Sequence, residues 1–568
     1  MLVGIDLGTT NSLVGVWRDG ETVLIPNALG SLLTPSVVGC DDRGQILVGQ
    51  AARERLVTHP KSTAAAFKRY MGTDRRTRVG SMAYRPEELS ALVLRSLKAD
   101  AEAFLGEPVT EAIVTVPAYF NDAQRKATKS AGQLAGLRVD RLLSEPTAAA
   151  LAYGFVGGGD EQKILVIDIG GGTLDVSLLH SFEGIMEVKA TAGDIWLGGE
   201  DFTDVLANVF LAEAGQSAGI PPVQENLAVH GTIRRQAELA KRVLSDAESA
   251  CVEVNYNGAP VTWQVTRERF ELLCEPLLAR VRLPLERTLR DARMAPDAIS
   301  RVIFAGGAAR MPMFRRLISR LLRQLPIQHI NPDEVVARGA AVRTGLAAKS
   351  VGLEEHVLTD VAPFTLGVEV TEAGPNGVLI PGMFLPIIER NTIVPASRSH
   401  ILQTLQDNQA RLLVKIYQGE SRMVADNVLL GQLSLAIPAA PAGQEKIDVR
   451  FSYDSSGLLE VDVMVLNWKT SQRLVIEGNP GVLTKAEIER RLAALQKLKI
   501  HPRDDAQNIA LIERANRLYE ENLGDLRARI GEELNVLMIA IERQYPEEID
   551  AARERLAAFL ANIDRSIL

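Results

Sequence analysis

Two acids and two turns carry the first chemical signal in this chain. Gly4–Val16 reads GIDLGTTNSLVGV, and Val166–Leu179 reads VIDIGGGTLDVSLL. Each copy runs apolar strand, Asp, apolar residue, a turn of Gly or Thr, then a second apolar strand. Asp6 and Asp168 both stand two residues before the turn's first glycine. A turn of Gly and Thr brings successive backbone N–H groups and hydroxyls up to an anion, with no Cβ in the way. An Asp at the strand end can hold Mg²⁺, largely through its waters, or orient an attacking water. One such turn is weak evidence, because glycine turns recur in ordinary hairpins. Two matching copies predict two hairpins, one from each half of a domain, clamping a nucleoside triphosphate between them.

A third glycine turn, in Val302–Phe314 (VIFAGGAARMPMF), follows an apolar strand and precedes a helix. It has no strand-end acid, which suits a nucleoside contact better than a metal site. The stretch Glu238–Ser245 puts Glu238, Lys241, Arg242 and Ser245 on one helical face at i, i+3, i+4 and i+7. Alone, that face reads as ordinary solvated surface. Lys68 alone reads as a surface lysine, and Glu145 as a helix N-terminal acid.

These residues need a scaffold, and the pattern supplies one. Residues 1–350 alternate short apolar runs (LVGID, AIVTVPAYF, KILVIDIGG, RVIFAGG) with amphipathic stretches such as DAQRKATKSAGQLAG, which is α/β patterning. Residues 351–362 mix acids with short apolar residues before Pro363 and read as a linker. Residues 363–480 carry alternating strand signals, including a hairpin turn at Asp454–Gly457. Residues 481–568 become helical, with a capping box at Thr484 and Glu487 and an apolar stripe through Ile488, Leu492, Leu495 and Leu498. A second stripe runs through Ile549, Leu556, Leu560 and Ile563. Nothing in that helical end reads as catalytic.

Composition narrows the class. The 568 residues exceed one core, and 46% hydrophobic with 24% charged residues is ordinary for a folded protein. A formal net charge of −8 argues against nucleic acid or an anionic membrane as partner. Cys40, Cys251 and Cys274 lie far apart, so neither a disulfide framework nor a zinc site is expected. No segment offers about 18 uninterrupted apolar residues and no basic leader precedes Leu2, so a cytoplasmic protein is expected.

The motifs GTTNS, VPAYFNDAQRKATKSAG, LLSEPTAAALAYG, GGGTLDVSLL, LGGEDF, AGGAARMP and NPDEVVARGAAV, followed by QDNQ (Gln406–Gln409), YQGE and DNVLLGQ, stand in the order seen in DnaK-type (heat-shock seventy) chaperones. The resemblance covers essentially the whole chain and looks closest to the bacterial HscC branch, partly because the chain is compact. It implies an actin-like (ribonuclease-H-like) two-lobed ATPase in residues 1–350, a linker, a β-sandwich that binds peptide, and a short α-helical lid. Carried over residue by residue, it implies that Thr9, Thr10 and Asn11 contact phosphates, opposite a loop of Gly170, Gly171, Gly172 and Thr173. Asp6 and Asp168 would organise Mg²⁺ and its waters. Lys68, in FKRYMG, would reach the γ-phosphate and the attacking water. Glu145 would position that water, with Asp175 supporting the network. Glu238, Lys241, Arg242 and Ser245 would contact adenosine, beside Gly306, Gly307, Arg310 and Asp333. Such a set hydrolyses ATP by positioning and charge neutralisation, without a covalent nucleophile.

The same resemblance implies that Pro117, Arg125 and Lys129 relay nucleotide state to the linker residues Val357, Leu358 and Asp360. Arg141, Tyr119, Asn121 and Asp122 would meet a J-domain co-chaperone. Val368, Leu402, Leu405, Leu412 and Val414 would line the peptide cleft, with Leu412 at its central pocket; these are also the residues a sandwich core contains. Several departures stand out. The segments Lys68–Glu87 and Ser249–Val265 are short, which puts dependence on a GrpE-like exchange factor in doubt. Thr359 replaces the linker's usual leucine, which implies weaker docking. The loop Glu372–Phe384 is long. Leu405 is larger than the usual alanine, which implies a narrower cleft. The short helical end implies a reduced lid and fast peptide exchange. Sugar kinases and actin-like filament proteins share the two hairpins but lack a β-rich and helical tail. A dedicated regulator of one folded partner, such as a transcription factor, keeps the fold and changes the task.

Overall fold

The computed structural model describes residues 1–41, 43–154, 161–182, 185–327, 329–348, 357–374, 378–454, 457–468, 470–476, 506–522 and 524–567. The capping box at Thr484 and the stripe Ile488–Leu498 lie outside them.

The sequence repeat is a structural repeat. In one sheet the strands run Leu142–Ser144, Glu111–Val116, Leu2–Asp6, Asn11–Arg18 and Glu21–Ile25. The first three are parallel, and the hairpin partner Asn11–Arg18 then reverses. The second sheet runs Arg301–Ala305, Gln162–Ile169, Leu174–Phe182 and Ile185–Asp194, again parallel first and antiparallel after. Gly4 therefore has the same place in one lobe as Val166 in the other. Each sheet buries its apolar strands under helices, as a near-continuous run such as ILVIDI requires. The lobes have separate cores, one around Val3, Val14 and Val114, the other around Leu165, Phe202 and Phe304.

The helices Glu145–Ala152 and Val335–Ala347 meet between the lobes. They approach so closely that a Cβ on Gly339 would lie 1.7 Å from the carbonyl oxygen of Ala148. Only glycine permits that crossing.

The expected linker is not free. Residues 351–356 lie outside the described set, and Val357–Val361 is a strand. It pairs parallel with Ile185–Asp194 of the second lobe and antiparallel with Ile393–Val394. The edge strand Ile185–Asp194 offers unpaired backbone groups on that side, and an extended segment satisfies them. The hydroxyl of Thr359 is buried there without a hydrogen-bond partner. A buried hydroxyl without a partner costs free energy.

Residues 366–476 form two four-stranded antiparallel sheets. One runs Leu379–Ile388, Leu366–Ala373, Arg411–Gln418, Val428–Ala436; the other Ala396–Gln403, Lys446–Tyr453, Leu459–Val465, Thr470–Ile476. Their inner faces share a core that includes Val368, Val414, Ile416, Val449 and Phe451. The long "loop" Glu372–Phe384 is mostly strand: Leu366–Ala373 and Leu379–Ile388 extend the hairpin as far as Ala373 opposite Leu379. The helices Ala506–Glu521, Gly524–Arg543 and Pro546–Ile567 pack around Leu518, Leu537, Leu556 and Leu560. No helix among the described residues is long and apolar enough to cross a membrane.

Candidate functional site

The two glycine turns face each other across one cavity of about 700 Å³ between the lobes. They come so close that a Cβ on Gly171 would lie 1.9 Å from Thr10 Oγ1. Asp6, Thr9, Thr10, Asn11, Lys68, Glu145, Asp168, Gly170, Gly171 and Thr173 line it. Glu238, Lys241, Arg242, Ser245, Gly306, Gly307, Arg310 and Asp333 line it as well. Two residues of the expected set do not line it. Gly172 instead lets the lobes pack, because a Cβ there would meet Thr9 and Arg69 side chains at 2.8 Å. Asp175 lies beneath, fully buried, where its Oδ1 accepts the Tyr119 N–H at 3.0 Å.

The residues around the two glycine turns concentrate negative charge. Asp6, Glu145, Asp168 and Asp175 cluster near Lys68, whose Nζ lies 2.7 Å from Glu145 Oε1. Lys68 is only 3% exposed, so it is no surface lysine. Burial, and then the Glu145 charge, push the carboxyls of both Asp6 and Asp175 up to about 7. Burial and the neighbouring acids Glu145, Asp175 and Asp6 raise Asp168 as well. Thr115 donates to Asp6 Oδ1 at 2.9 Å, which partly offsets this. Such a cluster asks for a cation. Among the described residues no three His, Cys, Asp or Glu side chains converge as a direct metal shell. Two hard strand-end carboxylates beside threonine hydroxyls suit Mg²⁺ that keeps most of its waters.

The raised values carry a pH prediction. A folded-state value of about 7, against an ordinary 3.8, means the folded protein binds these protons more tightly than the unfolded chain. The contribution is full below about 4 and is lost as pH rises through about 7. In thermal melts the nucleotide-free protein should lose stability from pH 5 to pH 7 and level off above that. Mg²⁺ with ATP should flatten that slope.

The helical face and the third glycine turn are held differently. Lys241 is buried and donates to Gly199 O at 2.8 Å and Thr203 Oγ1 at 2.9 Å. Glu238 binds Lys241 and Arg242 at 2.5 and 2.8 Å. Arg310 binds Asp333 at 2.8 Å. Gly306 has φ 79°, and a Cβ there would lie 2.2 Å from Ile169 O.

Sequence reasoning missed Gly199 and Glu200, which also line the cavity. Thr10 Oγ1 donates to Glu200 Oε1 at 3.2 Å. Both belong to LGGEDF, which carried the resemblance but was given no role.

A second group meets where the first lobe, the strand Val357–Val361 and the sandwich join. Arg125, Lys129, Asp122 and Asp360 surround a small cavity with Val361, Val394, Tyr453 and Asp454. Arg125 donates to Phe120 O and Ala118 O, both at 3.0 Å. The segment Pro117–Asn121 thus runs from Asp175 and Lys68, which lies 5.8 Å from the Phe120 ring centroid, to that junction. The sandwich is pinned to the second lobe by Asp291, which accepts from Arg390 at 2.8 and 3.0 Å and from Asn391 at 3.1 Å.

The four residues expected to meet a J-domain do not form one free surface. Tyr119 packs on Phe364 at 4.5 Å and accepts from Arg287. Asp122 donates its N–H to Gln418, and Asn121 caps a helix through Gln124 N. Only Arg141 is exposed. The expected cleft residues are likewise dispersed: Val368 and Val414 sit in the sandwich core, Leu402 and Leu412 pack at its margin, and Leu405 is exposed.

Paired sheets with facing glycine turns and a buried acid cluster define an actin-like two-lobed ATPase, here joined to a β-sandwich and a helical lid. A family model described as Hsp70 protein matches residues 2–81 and 74–566, and the chain belongs to that family. It is 40% identical over 564 residues to the chaperone protein DnaK of Thermotoga petrophila, covering 95% of this chain and 93% of that one. The DnaK chaperones of Thermotoga maritima and Thermotoga neapolitana are similar to the same extent. The protein is an ATP-dependent molecular chaperone, an ATPase that binds unfolded client polypeptides.

Proposed function

We propose that ATP hydrolysis at the inter-lobe cavity controls peptide binding by docking and releasing the sandwich through the strand Val357–Val361. The docked strand supports this most directly, because it belongs at once to the ATPase sheet and, through Ile393–Val394, to the sandwich. In this reading residues 1–350 are the ATPase, 351–362 the coupling segment, 363–480 the peptide-binding domain and 481–568 the lid.

Thr9, Thr10 and Asn11 hold the β- and γ-phosphates from one side, and Gly170, Gly171 and Thr173 from the other. Asp6 and Asp168 are the residues that would hold Mg²⁺, which would supply charge neutralisation at the phosphate oxygens. Lys68, oriented by Glu145, holds the attacking water in line with the γ-phosphate. Asp175 ties that cluster to Tyr119. Glu238, Lys241, Arg242 and Ser245 seat the adenosine against Gly306, Gly307, Arg310 and Asp333. Loss of the γ-phosphate relaxes the Pro117–Asn121 segment, and Arg125 and Lys129 release Asp360. The freed sandwich then closes Leu402, Leu405 and Leu412 on an extended apolar peptide. Peptide and docking oppose each other, so each weakens the other by the same factor.

A cytoplasmic location, the HscC branch, a J-domain partner at Arg141 and little need for a GrpE-like factor complete the reading. Their support is the compact chain, the exposed arginine and the short hairpin Ser249–Thr266.

ATP turnover with and without unstructured apolar peptides tests the coupling. Wild type should hydrolyse slowly and peptides should accelerate it. Asp291→Ala removes the acceptor of three hydrogen bonds at the docking interface. It should raise basal turnover and abolish most of the peptide response. A peptide response of wild-type size in this variant would refute coupling through the docked sandwich.

A further inference from the structure

We propose that Tyr70 and Trp196 form an aromatic clasp between the lobes, and that this clasp keeps the turn bearing Lys68 in register with the opposing phosphate loop. The proposal rests on the reading of Lys68 given above. Lys68 comes from one lobe and the loop Gly170–Thr173 from the other. Its hydrogen-bond partner Glu145 opens the helix Glu145–Ala152 and is not part of that loop, so the pair does not by itself set the distance between Lys68 and the loop.

The turn Phe67–Tyr70 points two residues each way. Phe67 and Lys68 are each 3% exposed and face the first lobe and the cavity. Arg69 and Tyr70 face the second lobe. The tilted Tyr70 and Trp196 rings lie 5.3 Å apart, and the guanidinium of Arg75 stacks 3.7 Å from the outer face of Tyr70. Arg69 lies 5.5 Å from the Trp196 ring and donates to both oxygens of Asp201 at 3.0 Å. The turn enters through Ala66 at φ 52°, a conformation a non-glycine residue keeps only when its surroundings impose it.

Trp196 is itself anchored. Its N–H donates to Asp194 at 2.9 Å, and Arg280 donates to Asp194 at 2.7 Å and to the Trp196 carbonyl at 3.0 Å. Yet 42% of the residue remains exposed. A tryptophan kept half in water with its backbone pinned contributes little as core filler. Its geometry fits a bearing surface for Tyr70, and offset aromatic pairs have that geometry.

The test is single-turnover hydrolysis of pre-bound ATP by the full chain, with nucleotide affinity and melting temperature measured beside it. Trp196→Ala should slow hydrolysis about 3- to 10-fold, the range expected for one aromatic pair. Nucleotide affinity should be unchanged, because neither glycine turn nor the helical face is touched. Trp196→Phe should restore most of the rate. Tyr70→Ala should match Trp196→Ala, and the double variant should be no slower than either single one. A wild-type rate in Tyr70→Ala or Trp196→Ala, or single effects that multiply in the double variant, overturns the clasp. If Trp196→Ala fails to fold, Tyr70→Ala and Trp196→Phe decide: a wild-type rate in the former, or a phenylalanine variant as slow as it, overturns it too. Lys68→Ala in the same assay separates the two ideas. If it alone loses activity, only the clasp falls; if it hydrolyses normally, the reading of Lys68 falls first.

Discussion

Lys68→Ala is expected to slow ATP hydrolysis about 10²- to 10³-fold, the usual effect of removing one preorganised group from a developing charge. Nucleotide should still bind, because the proposed contacts of the glycine turns and the face Glu238–Ser245 are left in place. The size follows from the surroundings of Lys68. It stands among four buried acids, and its Nζ pairs with Glu145 at 2.7 Å. Removing it leaves Glu145 unpaired beside Asp6, Asp168 and Asp175. The nucleotide-free variant should therefore also melt lower, since an uncompensated buried charge costs about 3–5 kcal/mol. Mg²⁺ with ATP should recover part of that stability but none of the rate. A quench assay with saturating ATP, paired with thermal melts, separates the two effects. Hydrolysis within a few-fold of wild type would remove Lys68 from the chemistry.

Much of this site is legible in the sequence because its chemistry is local. Asp–x–Gly with its flanking strands specifies both the hairpin and the place of the acid, and one copy predicts the other. The face Glu238–Ser245 follows from helical spacing. What stays hidden depends on partners far away in the chain. The strand Val357–Val361 looks like a linker until the edge at Ile185–Asp194, some 170 residues earlier, is brought beside it. Glu200 meets Thr10, and Arg69 meets Asp201, only when the lobes close. Gly172 looks like its neighbours in the loop, but its lack of a Cβ serves the packing of Arg69 and Thr9. In the sandwich, alternation marks which residues point inward. It cannot say which inward residues form a core and which a cleft, so Val368 and Val414 look the same as Leu402 and Leu412. The extension of the hairpin past Glu372 is hidden because the sequence that follows, AGPNG, reads as loop.

Gly339→Ala should be the most damaging single methyl group added to this protein. The helix Val335–Ala347 follows Asp333, which lines the cavity, and the helix Glu145–Ala152 begins with the partner of Lys68. The two helices cross where a Cβ on Gly339 would sit 1.7 Å from Ala148 O and 2.3 Å from Ala148 C. Both atoms are backbone, so no rotamer change relieves the clash. One helix must move by more than 1 Å, in a region where Ala148, Ala149, Ala340 and Ala341 are fully buried. Overpacking usually costs about 1–3 kcal/mol, and a backbone clash belongs at or above the top of that range. The displacement also carries Glu145 away from Lys68 or Asp333 away from Arg310. Denaturant titration should therefore report a loss of about 3 kcal/mol or more, and nucleotide titration should report weakened binding in whatever fraction still folds. Gly20→Ala is the matched control. Gly20 has φ 86° and open space around its Cβ position, so only backbone strain of about 1 kcal/mol is expected there, with nucleotide binding intact. Equal losses at the two positions would mean that the helix crossing does not hold the two halves of the site together.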